Sequence, residues 1–311
     1  MSELKAVRPS AQSYATLFGA QAAIGAAAIF ARFALHGAGP VVVSALRLTI
    51  AGLPLLAFSW RQGKTLSIPG KHELLFALSG VALAVHFATW IGSLRCTSVA
   101  VSTLLVCTSP VWTALYDTFI LKQKMSRSFW WAFMAAGLGV GLIVCSAGRE
   151  ALEPGLEWTG ELLAIVGAIA IACYLIAIRS VSHLYPTVVI VGRTYSWSAL
   201  VLSIVALLMH EMPPGNDSVS WGGILAMALI SQLLGHTGMN ASLRYFSSST
   251  VAFSTLLEPI CAAILAALLF KEGLTVLTIS GSILVLGALA VILRLQPSDV
   301  QQQIAKESNE L

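Results

Sequence analysis

Along this chain, long apolar runs alternate with short polar connections, and the length of the runs decides what they are. Ten qualify: Tyr14–Leu35, Val41–Trp60, Leu74–Leu94, Val99–Leu121, Phe129–Ala147, Trp158–Ile178, Val188–Met209, Trp221–Leu243, Val251–Phe270 and Val276–Leu293. A helix of about 20 residues crosses the hydrocarbon of a bilayer and bonds all its own backbone groups while doing so. The pattern therefore predicts an all-α polytopic membrane protein with ten transmembrane helices. Proline, glycine and charge stand where the runs stop, as at Gly37 to Pro40, Arg61 to Lys71 and Pro213 to Asn216. The first run outlasts the apolar part of a signal peptide and is expected to remain as an uncleaved span. No connection is long enough for a soluble domain, and the polar stretch from Pro297 onward is expected to be a tail.

Composition strengthens this reading. Apolar residues make up 57 % of the chain and charged residues only 10 %, where a soluble domain carries about a quarter. Lipid must solvate most of this surface. The net charge of +4 does not point to nucleic acid, because the basic residues cluster in short connections, where they set topology. The five cysteines (Cys96, Cys107, Cys145, Cys173, Cys261) lie in or beside apolar runs without metal-ligand spacing, and read as small packing residues.

Charge also predicts orientation. With the N-terminus inside, the cytoplasmic connections collect twelve Lys and Arg residues: Lys5, Arg8, Arg61, Lys64, Lys71, Lys122, Lys124, Arg127, Arg179, Arg244, Arg294 and Lys306. The other side holds four, Arg32, Arg95, Arg149 and Lys271, with Arg47 and Arg193 inside spans. Both termini are thus expected in the cytoplasm of a cell whose plasma membrane holds the chain; in a bacterium that is the inner membrane.

The two halves of the sequence resemble each other. Pro40 and Arg47 stand seven apart, as do Pro186 and Arg193; Ser93-Leu94-Arg95 parallels Ser242-Leu243-Arg244, and Pro110 parallels Pro259. Offsets between partners stay within 146 to 149 residues. Since each half has five spans, the second enters the membrane from the opposite face. The expected organisation is two inverted five-helix repeats, 14–147 and 158–293, with short cytoplasmic tails at 1–13 and 294–311. Many transporters use this construction to build a central site and rock around it.

Several of these features together are similar to the drug/metabolite transporter superfamily, in its ten-helix EamA-type branch. The resemblance is carried by Arg47, by STLLVCTSP over 102–110 and its counterpart STLLEP over 254–259, by Phe270-Lys271-Glu272, and by Gly281 and Gly287 in the last run. It covers nearly the whole chain. It implies a secondary transporter, more often an exporter than an importer, of amino acids, metabolites or toxic organic compounds. One position departs from the family pattern: Gln123 stands where the first half would carry the acid found in the second half as Glu272.

Ionisable groups inside spans are costly and mark function by default. Glu258 lies well inside the ninth run and directly precedes Pro259, whose missing N–H loosens the helix. Its carboxylate could take a proton, bind a cationic substrate group or pair with an arginine; equally, it could brace the break. Gln232, His236 and Asn240 are four apart in the eighth run and share a helical face. His86 and Trp90 do so in the third; Thr108, Trp112 and Tyr116 in the fourth; Tyr174 lies in the sixth. Two readings stand: a cavity with aromatic walls and a few orienting polar groups, or hydrogen bonds and packing that hold the bundle. The first suits the eighth-run stripe better, and packing suits Trp112 and Tyr116 taken singly. Arg47 and Arg193, near span ends, are expected to snorkel to headgroups or cap carbonyls. Asp117 and Glu161 read as interfacial charges, and Gly137 with Gly141 forms a GxxxG suited to close helix approach, weak support alone for a dimer.

No nucleophile elbow, HExxH, Walker loop or GxGxxG opening a soluble helix occurs. We therefore expect no cofactor and no metal. The expectation is a transporter working by alternating access on a small-molecule solute such as an amino acid, metabolite or organic cation. Proton coupling, and a monomeric or homodimeric state, are compatible with it. An integral membrane enzyme seeded by His86 and His236, or a non-transporting sensor or scaffold, are the alternatives from other classes.

Overall fold

The computed structural model describes residues 9–61, 68–122, 125–146, 155–270 and 275–295. Lys5, Arg8, Lys64, Gln123, Lys124, Arg149, Lys271, Glu272 and the tail from Pro297 lie outside the described residues.

All ten expected spans are helical, and no strand occurs among the described residues. They run over Ala11–Ala34, Pro40–Arg61, Gly70–Cys96, Val99–Phe119, Arg127–Ser146, Glu157–Val181, Thr187–Leu208, Ser218–Ser242, Ser248–Leu265 and Val276–Leu295, the ninth continuing as helix to Phe270. Large apolar side chains stand uncovered along their outer faces, Trp131 at 75 % and Leu207 at 73 % exposure among them. A surface of that kind needs lipid.

Side-chain caps fix several span starts. Ser10 forms a reciprocal capping box with Ser13. Ser98 accepts from the Val101 amide at 3.2 Å, and Ser247 does the same for Thr250 at 3.2 Å, so the fourth and ninth spans begin alike. Both are also broken. In the fourth, helix Val99–Val106 stops, the chain turns at Cys107 and Thr108, and a new helix, Ser109–Phe119, starts with Pro110 in its first turn. In the ninth, helix Ser248–Ser254 tightens into a 3-10 turn, Thr255–Leu257, before Glu258 and Pro259 open the next segment. Proline cannot donate to the preceding turn but fits a helix start, so each break falls just ahead of one. The first span breaks at Ala26, and the eighth widens into a π-helix over Met227–His236.

The second span packs along the seventh, the fifth along the tenth, and the fourth meets the ninth. The third lies on the sixth just as the eighth lies on the first; the sixth also touches the fourth, and the first the ninth. Exchanging each span with the one five places on leaves this set of neighbours unchanged. The fifth and tenth spans come close at Gly139 and Gly281. The GxxxG glycines, suited to close helix approach, do not make this contact: Gly137 and Gly141 have open space where a Cβ would stand. They lie on the other side of the helix from Gly139, which is buried.

Polar contacts tie the span ends. At one end, Asp217 caps the eighth span through the Val219 amide and takes hydrogen bonds from Ser220 and from His36 at 2.9 Å. Those contacts, Ser220's first, hold its carboxyl down at about 2. Beside it Glu211 accepts from the Val42 amide at the start of the second span. At the opposite end Glu73 accepts from Arg193 and Trp197, and His72 pairs with Tyr185.

Candidate functional site

The two proline breaks face each other across a cavity. Val106, Cys107 and Ser109 from the fourth span and Thr255 and Glu258 from the ninth form two of its walls. His86 and Trp90 from the third span and His236 from the eighth form another, with Ile24, Ile171 and Met239 closing it. Its free volume in this conformation is about 30 Å³, room for water rather than for a bound solute. The Cys107 thiol reaches the Thr255 carbonyl at 3.6 Å, so the breaks also touch.

Each wall has a definite chemistry. His86 donates its Nδ1 hydrogen to the Gly167 carbonyl at 2.9 Å, which fixes the ring and leaves Nε2 as acceptor in the neutral form. Its ring lies parallel to Trp90, 4° between planes, with centroids 6.2 Å apart. His236 meets His86 at 6.4 Å and the edge of Phe87 at 5.0 Å. The Trp90 indole nitrogen and His236 Nδ1 are buried without a hydrogen-bond partner among the described residues. Glu258, at the start of its helix segment, has no hydrogen bond or ion pair among the described residues. An uncompensated carboxylate is expensive in a low-dielectric site, so this group is stable with a proton on it or a cation beside it.

Of the residues singled out in the sequence, His86, Trp90, His236 and Glu258 line this cavity. Pro259 stands at the break behind Glu258. Tyr174, Gln232 and Asn240 are buried but are not among its lining residues. Tyr174 donates to Asn240 Oδ1 at 2.8 Å, and Asn240 Nδ2 donates to the His236 carbonyl at 2.7 Å. Gln232 accepts from Arg47 at 2.7 Å. Trp112 and Tyr116 are half-buried and are also absent from the lining.

Three charged residues, Arg47, Asp117 and Arg179, differ from the sequence expectation. Arg47 does not snorkel: it is fully buried, its guanidinium 4.1 Å from the Phe87 ring centroid and bonded to Gln232. The second span is walled by the third, seventh and eighth, so the face carrying Arg47 has no route to headgroups. Asp117 is not an interfacial charge either; it is 1 % exposed and accepts from Ser249 of the ninth span. Arg193 is half-buried and paired with Glu73. Gln21, a lone amide in an apolar run, is fully buried in the first span and donates to Ser254 at 2.8 Å. Arg179, expected in a cytoplasmic connection, is instead buried within the helix of the sixth span and donates to Ser182.

Two broken helices, matched across an exchange of spans and facing a central cavity, are the arrangement of a transporter site. The sequence profile of the EamA-like transporter family matches residues 12–145 and again 158–294. The chain belongs to this family. It is a membrane transporter, and among its relatives is a probable amino-acid metabolite efflux pump of Salmonella typhimurium. That protein is 22 % identical over 272 residues, 83 % of this chain and 86 % of the other. The pseudopaline exporter CntI of Pseudomonas aeruginosa is 24 % identical over 251 residues, 80 % of this chain and 84 % of the other. A solved crystal structure shares the fold, with a TM-score of 0.74 at 17 % identity over 92 % of this chain and 98 % of that one.

Proposed function

We propose that the chain is a secondary transporter that exports small organic solutes by alternating access. Its two halves, 14–147 and 158–293, would rock about the cavity between the fourth and ninth spans. The observation that carries this reading is that both proline breaks wall one cavity holding an unpaired carboxylate, two imidazoles and an indole. The names of the relatives support amino acids and related metabolites as the first solutes to try. The test is efflux from proteoliposomes loaded with amino acids, aromatic metabolites and organic cations. Release of none of them faster than from protein-free vesicles would sink it.

Orientation belongs to the same proposal. A cysteine placed at Gln123 is expected to react with impermeant reagents only from the cytoplasmic side, and one at Asn216 only from outside. Labelling of both from the same side would overturn the inverted arrangement.

His236 and Asn240, one helical turn apart, are expected to separate transport from stability. His236→Ala should lower flux with the folded yield intact, because its Nδ1 has no partner to lose. Asn240→Ala breaks bonds to Tyr174 and to the helix, and should instead cost about 0.6 to 1.7 kcal/mol of stability. Unfolding temperatures measured beside flux decide it; equal flux in His236→Ala and the parent would remove His236 from the solute path.

A further inference from the structure

We propose that Arg47, with Gln232, forms an anion subsite next to the cavity, and that it takes the carboxylate of the transported solute. The inference deepens the transport reading and rests on it for the word solute; the site itself does not depend on transport. Arg47 is 0 % exposed. Among the described residues its one hydrogen bond goes from Nη2 to the neutral Gln232 side chain, and Nε and Nη1 are buried with no partner there. Gln232 Nε2, Trp90 Nε1 and His236 Nδ1 are likewise buried and without a hydrogen-bond partner among the described residues. The guanidinium, indole and amide nitrogens are donors only, so the cavity wall at Trp90 and the layer behind it at Arg47 and Gln232 together hold an excess of donors.

A buried, hydrogen-bonding cation without a counter-charge is the costly half of an ion pair. No carboxylate among the described residues bonds to Arg47, whereas Arg193, its counterpart in the second half, has Glu73 at 3.0 Å. The missing half is therefore to be supplied by the ligand. One guanidinium balances one negative charge, which favours a carboxylate over a phosphate dianion. The subsite adjoins the cavity wall: the Arg47 guanidinium lies over Phe87, and the Phe87 ring packs on His236, a lining residue.

The test uses the purified full-length protein in detergent with benzoate, benzamide and inorganic phosphate as probes. Tryptophan fluorescence and unfolding temperature report binding. Benzoate should bind and stabilise, and benzamide at the same concentration should do neither. Arg47→Gln should weaken benzoate by about thirtyfold or more, the scale of losing one partner of a buried charge pair. Arg47→Lys should recover part of that loss, and Arg193→Gln none of it should show. Equal binding of benzoate and benzamide by the parent, or unchanged benzoate binding in Arg47→Gln, overturns the proposal. Tighter binding of phosphate overturns the assignment to carboxylate. If Arg47→Gln does not fold, the parent's preference and the Arg47→Lys loss decide alone. A protein that binds benzoate through Arg47 but moves no solute in vesicles keeps the subsite and loses the transport reading.

Discussion

Glu258→Gln is expected to leave solute binding and exchange in place and to abolish the response to a pH gradient. The carboxyl sits at the break of the ninth span, lines the cavity, and has no partner among the described residues. A charge held there without compensation is costly, so ionisation and the arrival of a cation or proton are tied together. That is what coupling requires: the group should be unable to cross the membrane-centred state both charged and alone. Glutamine keeps the size and much of the hydrogen bonding while removing the titration. One coupled proton across a gradient of one pH unit supports about a tenfold solute gradient. The parent in proteoliposomes should approach that ratio, and the variant should fall to unity while still exchanging labelled for unlabelled solute. If Glu258 instead only braces the break before Pro259, the variant folds less well, or follows the gradient like the parent. A Glu258→Gln protein that still responds to the pH jump at matched protein levels would end the coupling hypothesis.

Some of this site could be read before any coordinates, and the reasons are specific. Run length and composition gave the spans, because lipid imposes one length and one chemistry on every helix that crosses it. His86, His236 and Glu258 stood out because polar groups in apolar runs are rare, and they do line the cavity. Asn240 carried the same signal yet is spent on Tyr174. Sequence shows that a buried polar group needs a partner, but not whether that partner is protein or ligand. Arg47 departs from its expected interfacial place for a related reason. At seven residues from the start of its helix it lies only about 10 Å along the axis, close enough to suggest the interface. Its counterpart Arg193 has the same place in its span and does reach a carboxylate. What separates them is the facing helix, Gln232 in one case and Glu73 in the other. The π-helix at Met227–His236 was also invisible, since it arises where the eighth span fits the first: a Cβ at Gly235 would lie 2.6 Å from Ile24 Cγ1.

Gly139→Val is expected to be the most damaging single change on the fifth span, and Gly137→Val nearly silent. In the sequence, Gly137 and Gly141, the GxxxG pair, are the glycines suited to close helix approach. The structure places the contact between them. A Cβ on Gly139 would stand 2.6 Å from the Gly281 carbonyl oxygen, 2.9 Å from Val285 Cγ2 and 3.0 Å from Leu284 Cβ. The reverse also holds, since a Cβ on Gly281 would run into the Gly139 carbonyl and lie 2.9 Å from Ile143 Cγ1. Because backbone stands on both sides, no rotamer change relieves the clash and the two helices must separate along their shared face. Overpacking costs about 1 to 3 kcal/mol where side chains can yield, and backbone-to-backbone contact sets the expectation at the top of that range. In detergent, Gly139→Val should therefore lower the unfolding temperature and the folded yield, and Gly281→Val should do the same. Gly137→Val should do neither, since nothing lies within 4 Å of its Cβ position. Cross-linking separates the remaining possibility: if Gly137 and Gly141 serve a homodimer, Gly137→Val will abolish the cross-linked dimer while leaving the monomer's unfolding temperature alone. A Gly139→Val protein as stable as the parent would show that the fifth and tenth spans do not meet at these glycines.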